Sequence, residues 1–512
     1  EYGQYTDKRK ISPKKWEEKL HENIPIEKKK DIKEVKEKPP STTHIPSWFT
    51  QFKIYTIRDF LSKISNKQYV ALNLLEAPVL GFILSYIIRY IPDPTSSTYI
   101  FRENENIPIF IFMALIVALF LGLTVSAEEI FRDRKILKRE QFLNLSKSSY
   151  LVSKIIILTV ISAIQAILFI LIANFILEIK GMLFEYWLAL FITALFANLL
   201  GLNISATFNS AVTIYIIIPL LMIPMMILSG AMFPFDKLNR SISSVDKVPF
   251  IAEIMPTKWS YEGLMVNQFK NNEYEKHFYE LEKKESEADF KTIYFLPELE
   301  KKVDYLKSNM DSIENVASIR KEAKRNIALL KNELSNEAQK TGIEFDKINK
   351  LHIGTIDESL LSEASDYINR LKEHYNRQFS EANKKLDNIR SYYNKNKPKA
   401  YRRLKNDYYN ESVAEQVKKE LEKNKIIEYK DKLIQHVDPV YQDPEPNHFF
   451  DFRTHFYAPR KYFMGTFIPT YWFNLGAIFV MTLLLYITLY YGALYKLLNL
   501  PEQVKKIFFR KS

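Results

Sequence analysis

The sequence contains no cysteine. That excludes disulfides, cysteine-ligated zinc and thiol catalysis, so any water-exposed part must be held together by packing alone. Glycine is scarce, at 12 of 512 residues. No Gly-x-x-x-x-Gly-Lys-Ser/Thr loop occurs, and so few glycines leave little scope for a phosphate cradle. His-Glu-x-x-His and Gly-x-Ser-x-Gly are missing as well. No set of residues reads as a catalytic, cofactor-binding or metal site. The eight histidines are scattered, and His44, His352, His436, His448 and His455 read as surface groups. Strong charge of one sign is lacking too: 72 bases stand against 60 acids, for a net +12. Bases alternate with acids and flank apolar segments, so membrane lipid headgroups, and no nucleic acid, are the expected counter-charge.

What is present is a layout of apolar runs. Five lie in the first half, at about 72–91, 108–125, 151–177, 186–206 and 212–233, and a sixth at about 473–494. Each approaches the roughly 20 apolar residues that cross a bilayer. The expected fold class is all-α: a polytopic membrane protein with six transmembrane helices and a large extracytoplasmic helical domain. The expected division is a linker (1–46), an amphipathic helix (47–64), spans one to five (65–233), a re-entrant segment (234–270), the external domain (271–466), and the sixth span with its tail (467–512). The linker, with Lys28-Lys29-Lys30 and Pro39-Pro40, is too polar to bury a core. Glu1 in place of an initiating Met, with no signal peptide before the first span, predicts a piece of a longer polypeptide.

Trp48, Phe49, Phe52, Tyr55, Ile57, Phe60 and Leu61 recur at helical spacing among Lys53, Arg58 and Lys63. An aromatic face beside a basic face predicts a helix along the membrane surface. The first span carries Glu76 one turn in, next to Pro78. A carboxylate near membrane depth is costly and often functional. Pro219 and Pro224 remove two backbone donors from the fifth span and predict a bend or unwinding there.

Orientation follows from the short loops. Arg132, Arg134, Lys135, Lys138, Arg139, Lys147 and Lys154 cluster around the second-to-third loop, and Lys505-Lys506 and Arg510-Lys511 lie in the tail. The positive-inside rule puts this loop and both termini in the cytoplasm of a cell inner membrane, and residues 234–466 outside. In the external part, 314–337 and 360–393 repeat apolar residues at three/four spacing, with a break at Gly354 and Asp357. They predict two helices in an antiparallel, coiled-coil-like hairpin. Phe449–Thr466, aromatic and basic, returns to the membrane surface. Six charges within Glu128–Lys135, directly after an apolar run, are suited to engage a cytoplasmic partner. As positive-inside anchors they would have no further role.

The run from Ser126 through Glu128-Glu129-Ile130-Phe131 to Arg139-Glu140, then Ser149-Tyr150 and Lys154, resembles the approach to the third span in white/pigment-type (subfamily G) ABC half-transporters. Leu228-Ser229-Gly230 agrees, as does Pro256 followed by Trp259-Ser260-Tyr261-Glu262-Gly263-Leu264 and Asn267-Gln268-Phe269. The resemblance covers about 46–270 and 467–497. It implies the permease half of a type-2 ABC exporter, working as a homodimer or with a related half-transporter. It implies an ATP-binding domain on the same polypeptide, N-terminal to residue 1, which would hold ATP and Mg. Glu129, Phe131, Arg134, Arg139 and Glu140 would couple to that domain. Leu119, Phe120, Gly122, Pro219, Ile223 and Met232 would line the substrate path. Gly122 stands where drug exporters of the family carry an aromatic, and Ala231-Met232 where they carry a leucine plug, which argues against a polyaromatic drug. A lipid or amphipathic substrate is expected. The external loop exceeds the family's usual length, so an envelope protein is a further expected partner. The other function left open is a non-transporting mechanotransmitter or envelope-complex subunit.

Overall fold

A computed structural model describes residues 11–23, 46–140, 145–313 and 315–499. The lysine run at 28–30, Pro39-Pro40, His44 and the basic residues of the tail lie outside the described residues. Within the expected linker, α1 (Pro13–Asn23) is helical, where the sequence reading had only a tether. Helix α2 (Trp48–Ser65) starts at Ser47, whose hydroxyl accepts from the Thr50 amide. Helix α3 (Lys67–Ile88) follows after one residue. Then come α4 (Ile107–Ser126), α5 (Glu129–Glu140), α6 (Lys147–Leu177), α7 (Leu183–Thr207) and α8 (Ala211–Ile227). Among the described residues five helices are long and apolar enough to cross a membrane: Lys67–Ile88, Ile107–Glu140, Lys147–Leu177, Leu183–Thr207 and Thr470–Tyr491.

Two expectations change here. The first span begins earlier than its apolar run, so Glu76 sits in the third turn of α3 rather than the first. Helix α8 stays wound through both prolines and ends three residues after Pro224. It is apolar but has only 17 residues, about 26 Å at a rise of ~1.5 Å per residue. The chain then turns at Gly230, whose φ of +80° suits a residue without a side chain.

Helices α4 and α7 pack along their lengths because Gly122 permits it. A Cβ there would stand 2.6 Å from the Ala194 carbonyl oxygen and 2.7 Å from the Ala197 methyl. Helices α3, α6 and α10 (Pro256–Lys270) complete the core around α4, and every α10 residue from Pro256 to Phe269 is buried. A short α9 (Phe250–Glu253) precedes α10.

The remaining segment builds its own core. Helices α11 (Tyr279–Phe290) and α12 (Leu296–Ser308) run on through one π-turn at 291–295. They lie against α14 (Glu358–Asn396) and, through α12, against α13 (Ala317–Thr341). The expected hairpin of two helices is thus corrected. The apolar stripe of α14 is covered chiefly by α11 and α12, because the stripes of α12, α13 and α14 close on one cluster that includes Leu299, Leu330 and Leu371. Helices α15 (Pro398–Tyr408) and α16 (Glu411–Lys418) bring the chain back to the membrane part.

The helical expectation holds for most of the chain, with two small additions. The chain is mostly helical, but β1 (Ile426–Tyr429) pairs with β2 (Lys432–Gln435), and β3 (Arg460–Phe463) with β4 (Thr466–Pro469), as two antiparallel hairpins. Each turn has two residues at positive φ: Lys430 and Asp431, then Met464 and Gly465. Such two-residue turns match the twist of the paired strands. Strand β4 leads directly into α17 (Thr470–Tyr491). Of the expected surface histidines, His436 is buried and His455 half-buried, its Nε2 2.9 Å from the Pro439 carbonyl; both sit in the segment between β2 and β3.

Candidate functional site

The charges after α4 fold into a closed cluster at one end of the bundle. Helix α5 begins against α7: the Ser205 hydroxyl accepts from the amides of Ile130 (3.1 Å) and Phe131 (2.9 Å). These are first-turn donors that would otherwise lack partners. The capped turn directs Glu129 inward, where it is 6% exposed. Its two oxygens accept from Lys63 of α2 at 2.5 Å and Lys154 of α6 at 3.0 Å. The Lys154 ammonium also lies 2.5 Å from Asp59 and 3.0 Å from Asp133, and Lys63 lies 3.4 Å from Asp59. Tyr150 donates to Asp133 at 3.0 Å. Three carboxylates from α2 and α5 thus surround two ammonium groups from α2 and α6. Burial costs each ion several kcal/mol of hydration, about what the pairing returns. The cluster therefore adds little net stability and instead fixes one relative placement of α2, α5 and α6.

Further contacts hold the same three helices. Trp48 Nε1 donates to the Ser148 hydroxyl at 2.9 Å, and Gln51 Oε1 accepts from the Ser146 amide at 2.7 Å. Arg58 pairs with Glu140 at 3.0 Å, so Glu140 faces α2. Glu128 accepts from Arg132 and from Tyr215 of α8, at 2.7 Å for the tyrosine. Arg134 bonds the Ser205 and Ala206 carbonyls at the end of α7, and Asn209 beyond it. A cation there satisfies carbonyls that the helix leaves open. Phe131 is half-buried, with Arg134 5.9 Å above its ring. Arg139 is exposed and, among the described residues, unpaired.

Of the residues singled out in sequence, Glu129, Phe131, Arg134 and Glu140 therefore come together, and Arg139 stands outside. Sequence reasoning missed Asp59 and Ser205, and it placed Lys63 on the wet basic face of α2. The spacing of Asp59 and Lys63 (i, i+4) was the available signal.

The expected substrate path divides. Phe120, Pro219, Ile223 and Met232 are exposed apolar positions on α4, α8 and the turn after it. Leu119 and Gly122 are not; Leu119 is fully buried and Gly122 lies inside the α4–α7 contact, and this part of the expectation is corrected. Glu76 is half-exposed on α3 and has no ion pair among the described residues.

A second buried ionic group lies toward the other end. Lys258, Glu262 and Lys461 are essentially inaccessible. Glu262 pairs with Lys461 at 2.7 Å and Lys258 at 3.3 Å, and accepts from Asn474 of α17 at 3.1 Å. Lys258 also pairs with Glu253 at 2.8 Å. This group joins α10, β3 and α17.

The arrangement is thus a helical body with a buried cluster of charges at one end of its long apolar helices. Residues 50–269 match the family model described as ABC-2 type transporter. This segment, less than half of the chain, is similar to an ABC-2 type transporter membrane domain. An ABC-2 domain is the permease part of a transporter and is not itself catalytic. The chain is also 25% identical over 248 residues to "ABC transporter G family member STR" of Medicago truncatula, an alignment covering 47% of this chain and 28% of that protein. The five long apolar helices and the match to an ABC-2 domain fit a multi-pass membrane protein.

Proposed function

We propose that the chain is the transmembrane half of an ATP-driven exporter that moves a lipid or amphipathic substrate and works as a dimer. The observation that carries this is the cluster around Glu129. Helices α2 and α5 are joined there by buried ion pairs, so a force on either moves both, and α6 with them. An ATP-binding domain on the same polypeptide, holding ATP and Mg, would push on this end. Six spans cross a cell inner membrane in this reading, α8 being the fifth, and both termini are cytoplasmic. Residues 234–270 re-enter the membrane and 271–466 stand outside. Support for a dimer comes from α8, whose Tyr215, Ile216, Leu220 and Ile223 form an apolar face exposed in the single chain. Few charges in the spans suit an amphipathic cargo better than an ion.

A second reading, a mechanotransmitter acting on an envelope partner, is favoured by the 39-residue α14 and its own packed core. Both readings use the same clamp and differ in what crosses the membrane. In the polypeptide that carries the ATP-binding domain, Glu129→Ala should leave ATP hydrolysis running while transport of a fluorescent lipid falls about tenfold or more, the worth of one charge-assisted contact. Normal coupling at normal expression would refute the role. Loss of coupling with no lipid flux even in the unaltered protein would favour the second reading.

A further inference from the structure

From the last turn of α14 into α15 the sequence Lys395–Asn406 holds six bases, Lys395, Lys397, Lys399, Arg402, Arg403 and Lys405, and no acid. All but Lys405 are exposed, and none forms an ion pair among the described residues. Helix α15 is amphipathic, and its other face is occupied. Tyr401, Leu404 and Tyr408 pack into a cluster with Tyr274, Phe278 and Leu386. The bases are therefore the face left for a partner.

The location of α15 limits what that partner is. Asn410, just past its end, donates to the Phe101 carbonyl at 2.8 Å and the Asn104 carbonyl at 2.9 Å, in the loop between α3 and α4. Asp407 pairs with Lys180 at 2.8 Å, and the Tyr408 ring lies against Gly181, both in the loop between α6 and α7. Those loops join apolar helices that end at Ile88 and Leu177 and restart at Ile107 and Leu183. Loops at span ends lie at headgroup level. The basic segment is thus pinned to the membrane-proximal rim, at the end of the spans opposite the Glu129 cluster.

We propose that Lys395–Lys405 is a docking surface for anionic phospholipid headgroups of the adjacent leaflet. Clusters of roughly 4–8 bases beside a membrane gather acidic lipid by summed electrostatic attraction, without a pocket. The six unpaired charges, the lack of any acid and the fixed height at the rim suit that role. An exposed aromatic ladder, which would suit single-stranded nucleic acid, is not what this face offers, since the tyrosines of α15 point into the cluster. Docked here, the segment would hold the outer helices against the leaflet. The inference rests on the reading that α3 to α7 cross the bilayer, and the test separates the two.

The cysteine-free chain is given one fluorophore at Ala400→Cys and reconstituted in phosphatidylcholine vesicles containing phosphatidylglycerol. Either lipid carries, at equal mole fraction, a spin label near the headgroup end of its chain. The anionic quencher should act about twofold more strongly than the neutral one, with the excess lost at high salt. It should also be lost in the variant Lys395→Gln, Lys397→Gln, Lys399→Gln, Arg402→Gln, Arg403→Gln. Equal quenching by both lipids would overturn the proposal. So would equal quenching with binding of the labelled chain to soluble heparin, which would assign the face to an acidic polymer. A fluorophore at Val79→Cys, exposed on α3, should be quenched by both lipids alike. No quenching at Val79 would overturn the spanning reading and the docking surface with it, whereas quenching there with no preference at Ala400 overturns the docking surface alone.

Discussion

Replacing Lys154 by Met should damage the chain more than replacing Glu129 by Gln, and the second change should partly repair the first. Lys154 lies 2.5 to 3.0 Å from Asp59, Glu129 and Asp133. Without it, three carboxylates are left with one base, Lys63, which reaches only Asp59 and Glu129, and Asp133 keeps only the Tyr150 hydroxyl. Breaking a buried pair from one side costs ~3–5 kcal/mol, because the remaining charge stays buried. Glu129→Gln instead leaves two carboxylates against two bases. It loses charge-assisted bonds to Lys63 and Lys154, part of which the amide oxygen replaces, so ~1–2 kcal/mol is expected. In the double variant two carboxylates face one base, one negative charge fewer than in Lys154→Met alone. Its loss should therefore fall below that of Lys154→Met, a coupling of roughly 1.5–3 kcal/mol in the favourable sense. Unfolding in mixed dodecylmaltoside and SDS micelles, followed by tryptophan fluorescence, reads this, since Trp48 donates across the α2–α6 contact. If the double variant is as unstable as the sum of the singles, the buried cluster is not an interacting unit and the clamp argument fails.

Gly122→Ala should lower the thermal midpoint on detergent size-exclusion chromatography, at a cost of ~1–3 kcal/mol, because the new methyl meets the Ala194 backbone and not a side chain that can swing away; an unchanged midpoint would refute the close α4–α7 contact. In the segment after α10, burial first and the neighbouring Glu282 second hold the Glu275 carboxyl above its ordinary value of 4.5. A raised carboxyl pKa keeps the proton in the folded state, so this contribution is full below pH 4.5 and is lost as pH rises above it. The midpoint should therefore fall from acid toward neutral pH, and Glu275→Gln should flatten that fall; an unaltered pH slope would show that Glu275 ionises freely. Cysteines at Phe120 and Ile223, both exposed, should cross-link two copies on oxidation in vesicles, and a purely monomeric product from active protein would count against the proposed dimer face.

Much of the membrane part was legible because apolar runs report burial in lipid or core directly. Helix α2 was legible from its aromatic periodicity, and Glu129 from its place just after a span. What escaped depends on partners far away in sequence. Lys63 looks like a wet base until Glu129 and Asp59 are brought beside it. Leu119 and Gly122 were placed on the path by the resemblance alone, and the sequence offered no check: α4 is apolar all round, so nothing in its pattern says which side meets α7. The hairpins β1–β2 and β3–β4 escaped because their strands have four residues each, too few for alternation to stand out. The covering of α14 by α11 escaped because the stripe of α11 is thin. Only Tyr279, Ala288 and Phe290 are buried in it, and charged residues fill most of the rest.

The ionic group around Glu262 also sets an order of assembly. Lys461 follows Glu262 by 199 residues in the chain, and Asn474 by 212. At a synthesis rate of ~5–20 residues per second, roughly 10–40 s separate the making of α10 from the making of the lysine that completes its charge pairing. During that interval Glu262 has Lys258 alone, and α10 is too polar to enter hydrocarbon unaided. Helix α10 must therefore wait for its partners while the segment between it and β3 is made and folded. It docks only when β3 and α17 arrive, which makes closure of the permease core a late checkpoint on completion of the chain.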